Sequence, residues 1–358
     1  MSGSSLDGLD LAFVVFNEAG GKWTYQITHA ECKPYPEQWI RDLKNAVNVD
    51  ARSYLLLHSA YGHYIGSRVN EFIEKHGLHH RVQIIGSHGH TTFHEPAQGM
   101  TAQLGDGAAI AATTGINVVS DLRAMDVALG GQGAPIVPVG EQLLFGAYPL
   151  LLNIGGIANL SAALPDGYVA YDICPANRVL NLLAAEKGLD YDAGGQLAAS
   201  GFLRDETLAL LNREAFYQQP YPKSLANDFG TDVLYPAIKK ANLSTADALR
   251  TMTEHIAIQV IRNVGKLALK LAPGTERRLL VTGGGAFNTF LMERIQSGLQ
   301  PLGVKVEVPD AQTVAYKEAL IMALLAVLRW RENNTCLHTV TGARRSSIGG
   351  AVWIGQDA

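Results

Sequence analysis

LLLNIGGIANLSAALPDGYVAYDICPAN, residues 150–177, decides how the rest of the chain is read. A short apolar run turns at Gly155-Gly156, resumes as IANLSA and returns through the β-prone GYVAYD, after which a helix is expected from Pro175 to Lys187. Apolar runs bounded by glycine turns read as strands of a buried sheet. The third strand ends near Asp172, where α/β folds place ligand-facing groups. Capping of the following helix is the structural alternative for that aspartate.

A comparable start stands at the front. LAFVVF (11–16) and KWTYQITHAE (22–31), joined by NEAGG, read as a hairpin. Helices follow over PEQWIRDLKNAV (36–47) and over 53–76, where Gly77 is placed to end the second. VQII (82–85) and INVVS (116–120) read as buried strands with a helical stretch between them. Beyond residue 177 come a helix over 245–271, the strand RLLVT (278–282), a GGG turn, a helix over 287–299, the strand VKVEV (304–308) and a helix over 312–331. Both halves run hairpin, further strand, helix, without a detectable sequence repeat.

At 358 residues the chain exceeds what one core usually serves, so two α/β lobes are expected. GGQGAP (130–135) and RENNTC (331–336) are the expected hinges, giving residues 1–130 plus 335–358 as lobe I and 131–334 as lobe II. Hydrophobic residues at 47% against 17% charged supply ample core and exclude a disordered chain. With net charge −4 and no basic cluster beyond pairs such as Lys239-Lys240, no nucleic-acid surface is implied. Cys32, Cys174 and Cys336 are few and odd in number, which fits a reduced, cytoplasmic setting. No run of about 18 apolar residues suggests a membrane helix, and the polar start lacks the regions of a signal peptide.

Four glycine turns adjoin apolar strands: SGSSLDG (2–8), NIGGIAN (153–159), TGGGAFN (282–288) and SSIGG (346–350). Glycine there lets backbone N–H groups approach an anion. None matches a P-loop or Rossmann fingerprint, so the expectation is a nucleotide gripped between two lobes.

SGSSLDGLD, SHGHTTFH (87–94), QLGDGAAIA (103–111), SDLRAMDVALGGQGAPIVP (120–138), LNIGGIANLS, FGTD (229–232), TGGGAFN and KEALIMALLA (317–326) resemble, in order and spacing, the anhydro-N-acetylmuramic acid kinases of the actin-like sugar-kinase superfamily. The resemblance implies a two-lobed α/β fold, each lobe a ribonuclease H-like mixed sheet with helices, and a ligand cleft between lobes. It also implies that SGSSLDG is the first phosphate hairpin, whose usual preceding strand is missing from this sequence. The implied activity is ATP-dependent opening of the 1,6-anhydro ring by water with phosphorylation at O6, in cytoplasmic cell-wall recycling. ATP, Mg²⁺ and a homodimer come with it; nucleic-acid and membrane partners do not.

By the same resemblance Asp172, in YDICPAN where the family has DTGPGN, is the general base, with Ile173, Cys174 and Ala176 departing from the pattern. Cys174 beside it reads as a small buried hydrophobe rather than a nucleophile. Thr91, Thr92, Arg123, Asp126 and Glu318 correspond to sugar-site positions, an arginine suiting a lactyl carboxylate because its fork binds two oxygens. The inward carboxylate expected of Glu318 on an apolar helix is costly unless functional or paired. Gly3, Ser4, Ser5, Asp7, Gly8, Gly155, Gly156, Gly283, Gly284 and Gly285 correspond to nucleotide-site positions. Asp7, with Asp10 and Asp106 as further candidates, holds Mg²⁺ through water. His88, His90 and His94 invite a zinc site, but no HExxH or cysteine pair accompanies them. His90 stands where the family commonly has Gln, which keeps open a kinase of a different amino sugar. A non-catalytic or filament-forming actin-like nucleotide binder is the remaining alternative.

Overall fold

Two sets of strands gather separate cores. The computed structural model describes residues 1–3, 6–221, 223–226 and 228–356. It divides into unit 1, Met1–Phe145 with Tyr316–Ala358, and unit 2, Gly146–Ala315. The sequence expectation sets the divisions at 130/131 and 334/335, so GGQGAP and RENNTC both fall inside unit 1.

In unit 1 the β-branched and aromatic runs at the front pair as β1 (Gly8–Ala19) and β2 (Lys22–Pro34), antiparallel about Gly20-Gly21, both left-handed. The helix Ala51–His76 starts on Asp50, whose carboxylate accepts from Ser53 N, and stops at the left-handed Gly77. Its buried face, Tyr61, Ile65, Val69, Phe72 and Ile73, repeats at the helical period and packs into the core beneath β1. Of VQII only Ile85 is in a strand, β3 (Ile85–Gly86). Next comes a hairpin that the sequence expectation omits, β4 (His90–Glu95) and β5 (Met100–Leu104), ahead of the helix Gly107–Thr114. Histidine and threonine fill β4, so no apolar alternation signals it. β6 (Val118–Ser120) then lies parallel to β3 and antiparallel to the C-terminal strand Ala351–Trp353.

Unit 2 is built on 150–177 as expected. β7 (Leu150–Ile154), β8 (Ile157–Leu164) and β9 (Gly167–Pro175) form an antiparallel meander; β10 (Arg278–Thr282) lies parallel beside β7 and β11 (Lys305–Glu307) parallel beside β10. The order β11-β10-β7-β8-β9 puts the first strand in the middle, the ribonuclease H-like arrangement. Leu150, Leu152 and Ile154 are 0% exposed, each contributing about 1.5–3 kcal/mol by burial. The helix Thr245–Ala268 packs Leu249, Met252, Ile256, Val260, Val264 and Leu267 into the same core. Pro175 does not open a helix. It ends the edge strand β9, where its missing N–H costs no ladder bond, and the helix begins at Asn177.

The helix Ala311–Trp330 is, among the described residues, the one long and apolar enough on average to cross a membrane, although Lys317, Glu318 and Arg329 interrupt it. Its unit 1 portion is a core element: Ile321, Met322, Leu324, Leu325 and Leu328 are buried. The inward charge on this helix is Lys317, not Glu318. Lys317 Nζ meets Glu141 Oε1 at 2.9 Å, both side chains under 5% exposed, while Glu318 is exposed. Removing one partner strands a buried charge. We expect Lys317→Met to lose about 3–5 kcal/mol in urea unfolding, and Lys317→Met with Glu141→Leu to recover most of it.

Candidate active site

The C-terminal ends of β7 and β10 lie side by side, and both run into glycine. After β10, Gly283 has φ +82, and a Cβ there would stand 2.8 Å from both Asn153 Oδ1 and Ile154 O. A Cβ on Gly285 would collide with the Ile154 side chain. After β7, Gly155 O accepts from Asn177 N at 3.1 Å and Gly156 O from Ala176 N at 2.8 Å. Asn177 Nδ2 donates to Ile154 O at 3.0 Å, so both turns close on one residue. Gly155, Gly156, Gly283, Gly284 and Gly285 therefore share one cradle that presents backbone; Gly283 and Gly285 have no room for a side chain, while a Cβ on Gly155, Gly156 or Gly284 would meet only ordinary contacts.

Asp172 stands on β9 opposite Asn159, beside a register shift that inserts Ile173 into the ladder. Bulges of this kind re-aim neighbouring side chains. One carboxylate oxygen, Oδ2, accepts from Leu225 N at 2.8 Å and from Ser224 Oγ at 3.0 Å; Oδ1 has no protein donor among the described residues. Burial raises the Asp172 pKa, and those two hydrogen bonds only partly oppose it. Cys174 is fully buried and its thiol is pushed up by that burial, so it is no nucleophile.

In unit 1 the loop after β3 and the segment after β6 meet at Arg123. Its Nε donates to His88 Nε2 at 2.9 Å and its Nη1 to Gly133 O at 2.6 Å, leaving Nη2 free of protein partners among the described residues. Since arginine only donates, His88 Nε2 is unprotonated and Nδ1–H bonds Gly89 O at 3.0 Å. His88 is thus a neutral prop for the guanidinium; burial and Arg123 lower its pKa to about 3. Burial also lowers the Arg123 pKa, and the negative charge of Glu318 works against that.

Asp126, 1% exposed, accepts from Gly133 N and Thr341 Oγ1, each at 2.8 Å, and so ties the GGQGAP loop to the C-terminal segment. Thr92 is engaged too, with Tyr54 OH at 2.6 Å and Ala102 O at 3.2 Å. Thr91, opposite Gln103, keeps its hydroxyl free of protein partners among the described residues.

The 2–8 hairpin supplies Gly3, Asp7 and Gly8; Ser4 and Ser5 lie outside the described residues. A Cβ on Gly8 would stand 2.5 Å from Cys32 Sγ, so close packing on β2 demands glycine. Asp7 is exposed with Oδ1 accepting from Gly8 N, and Asp106 Oδ1 caps Ala108 N. No group of three or more His, Cys, Asp or Glu suited to a metal occurs among the described residues. An exposed carboxylate does fit an ion that keeps its waters and leans on phosphates, as Mg²⁺ does. The fourth glycine turn serves its own unit: Gly349 N donates to Thr335 Oγ1 at 2.6 Å.

The profile of the anhydro-N-acetylmuramic acid kinases matches residues 1–355. The chain belongs to the anhydro-N-acetylmuramic acid kinase family. Relatives of that name from Pasteurella multocida and Aliivibrio fischeri are 34% and 35% identical, over 99% of this chain and 95% and 97% of theirs. A solved activator of 2-hydroxyisocaproyl-CoA dehydratase from Clostridium difficile, with bound ADPNP, overlaps 54% of this chain and 66% of its own at 17% identity and TM-score 0.33, too slight a likeness to bear on the fold.

Against this member of the kinase family, sequence reasoning overlooked Ser224 and Asn153. Asn153 had a signal, a polar residue closing an apolar strand. Ser224, 52 positions from Asp172, had none. Because His88 takes no proton in the fold until about pH 3 but does so near 6.5 when unfolded, stability falls as pH drops between those values. We expect His88→Asn to flatten that fall by about 1.4 kcal/mol per pH unit in denaturant titrations from pH 7 to 4.

Proposed function

We propose that the protein is an ATP-dependent hydrolysing kinase that converts 1,6-anhydro-N-acetylmuramic acid and water to N-acetylmuramic acid 6-phosphate, with ADP, in peptidoglycan recycling. Asp172 is the observation that carries this reading: a half-buried carboxylate pinned through Oδ2, with Oδ1 left open and a raised affinity for protons. A raised pKa makes such a carboxylate a stronger base, as general-base work requires. Water's oxygen bonds to C1 as the C1–O6 bond breaks, its proton passes to Asp172 Oδ1, and the released O6 takes the γ-phosphoryl group. Positive charge developing at C1 follows the logic of glycoside hydrolysis.

The cradle of Gly155, Gly156 and Gly283 to Gly285 offers backbone amides to the nucleotide, and the Gly3–Gly8 hairpin with Ser4, Ser5 and Asp7 does the same from unit 1. Mg²⁺ neutralises phosphate charge when bound, and Asp7 would hold it through water. Arg123 takes the lactyl carboxylate with its remaining N–H groups and Thr91 a sugar hydroxyl. Glu318 supplies an acceptor, while Asp126 and Thr92, already engaged, fix the loops that carry them. A cytoplasmic homodimer without nucleic-acid or membrane partners accompanies this reading. A second reading, another amino sugar, is favoured by His90, whose Nδ1 lies 3.1 Å from Ser2 Oγ.

ADP release measured across a panel of anhydro and free amino sugars separates the two. Stimulation by a free hexosamine alone would overturn the first. We expect Asp172→Asn to lower sugar-dependent turnover by roughly 10²–10⁴-fold while ATP binding persists. Because a buried carboxylate with a raised pKa opposes folding while ionised, that variant should also melt no lower than the parent at pH 7.

A further inference from the structure

Two histidines flank Gly89, and the groups around them call for opposite ring protons. His88 takes the Arg123 N–H on Nε2 and donates from Nδ1 to Gly89 O. Gly89 has φ +69, and a Cβ on it would stand 2.3 Å from Leu104 O, so the chain lies close against β5 where it enters β4. On the far side of that glycine, His90 Nδ1 lies 3.1 Å from Ser2 Oγ, while Nε2 has no protein partner among the described residues. Ser2 and His90 are both buried, and the antiparallel bridge from Ser2 to Leu9 holds the serine in place.

Where the Ser2 proton goes is decided behind it. Tyr35 OH donates to Ser2 Oγ at 2.9 Å. The same phenol meets Tyr61 OH at 2.5 Å and, with its own proton spent on Ser2, can only accept there. Burial pushes both phenols up, Tyr61 to about 12, so both keep their protons. Ring packing fixes where they stand: Trp39 lies 5.2 Å from Tyr61 and 4.9 Å from Tyr64 between centroids, and Tyr64 stacks on Tyr61 at 6.0 Å with 14° between planes. Donation therefore runs from Tyr61 to Tyr35 to Ser2. Among the described residues the Ser2 proton has one acceptor left, His90 Nδ1.

We propose that this hydroxyl chain fixes His90 as the Nε2–H tautomer, a neutral donor for an uncharged acceptor oxygen of the sugar, which makes His90 a specificity-determining residue of the site. The sugar half of this rests on the kinase reading above. Burial lowers the His90 pKa, so the ring is uncharged at neutral pH. A neutral N–H suits a hydroxyl or amide oxygen and leaves the sugar's carboxylate to Arg123. Glutamine in the same place would accept from Ser2 through Oε1 and donate from Nε2. To a ligand the two side chains then differ in reach and shape, not in the sense of the hydrogen bond.

Ring-nitrogen NMR of the isotope-labelled full chain, recorded without ligand near neutral pH and assigned with His90→Gln, reads the tautomers directly. His88 should show a protonated Nδ1, and His90 a bare Nδ1 with a protonated Nε2. A protonated Nδ1 on both would overturn the proposal. Tyr35→Phe combined with Tyr61→Phe keeps the rings and removes both donors, so an Nδ1–H population should appear at His90. Unchanged His90 signals in that variant would also overturn it. In turnover with ATP and 1,6-anhydro-N-acetylmuramic acid, His90→Leu should raise the sugar KM about tenfold with kcat changed less, and His90→Gln should bring it back to within about threefold of the parent. An unchanged sugar KM in His90→Leu would remove the donor from its role. Absence of sugar-stimulated ADP release from the parent would overturn the kinase reading and the sugar half with it, whereas the ligand-free spectra decide the hydroxyl chain by themselves.

Discussion

An interior strand must find hydrogen-bond partners along both edges and apolar neighbours on both faces, and this requirement organises the protein. Unit 2 meets it with β7, whose edges are taken by β8 and β10 and whose leucines are fully buried. What unit 2 offers to a nucleotide hangs from the end of that strand. Asn153 and Ile154 are the walls against which Gly283 and Gly285 pack, and Ile154 O anchors Asn177. Had β7 shifted by one residue, its core leucines and its site-facing Asn153 would have exchanged faces. Register, core and cradle are one specification.

Charge inside the fold obeys a parallel rule, with a different solution at each place. Lys317 and Glu141 pair in the buried core. Asp126 is spent on a backbone amide and a hydroxyl, which makes it a clamp. Arg123 rests on a neutral histidine and a carbonyl, so its charge stays unneutralised by direct pairing and its Nη2 has no protein partner among the described residues. Asp172 keeps Oδ1 without a protein donor among the described residues while burial raises its pKa. A group in that condition opposes the stability of its own unit while ionised, a cost that the general-base role proposed for it would explain.

The meander over 150–177 was legible because its strands are apolar, short and separated by glycine, and the RLLVT strand with its GGG turn for the same reason. The long helices were legible from period and caps, to within a few residues. β4 was not, since Phe93 is its one apolar residue, whereas β5, Met-Thr-Ala-Gln-Leu, alternates apolar and polar residues and carried a signal that was passed over. Within the candidate site, residue types at strand ends marked Asp172 and the glycines. What one-dimensional reading missed are contacts made across long separations: Ser224 on Asp172, His88 under Arg123, and the inward turn of Lys317 where Glu318 was expected. The last error is one of helical phase, a single position apart.

The same phase logic bears on the segment DICPAN, where Ile173, Cys174 and Ala176 replace the smaller or more polar residues of the family pattern. All three are 0% exposed. Ile173 is the residue inserted by the register shift, Cys174 pairs with Ala158, and Ala176 donates its N–H to Gly156 O, so their side chains are absorbed by the core of unit 2. Asp172 and Asn177, the two positions that keep the family's residues beside Pro175, are the ones left half-buried. The departures therefore change how the turn is packed from behind. The turn's path is fixed by the bonds from Ala176 and Asn177 to the carbonyls of Gly156 and Gly155, which need no glycine at the donor positions. A loop can exchange glycine freedom for apolar anchoring and still present the same carboxylate, provided the substitutions fall on the buried side, as they do here.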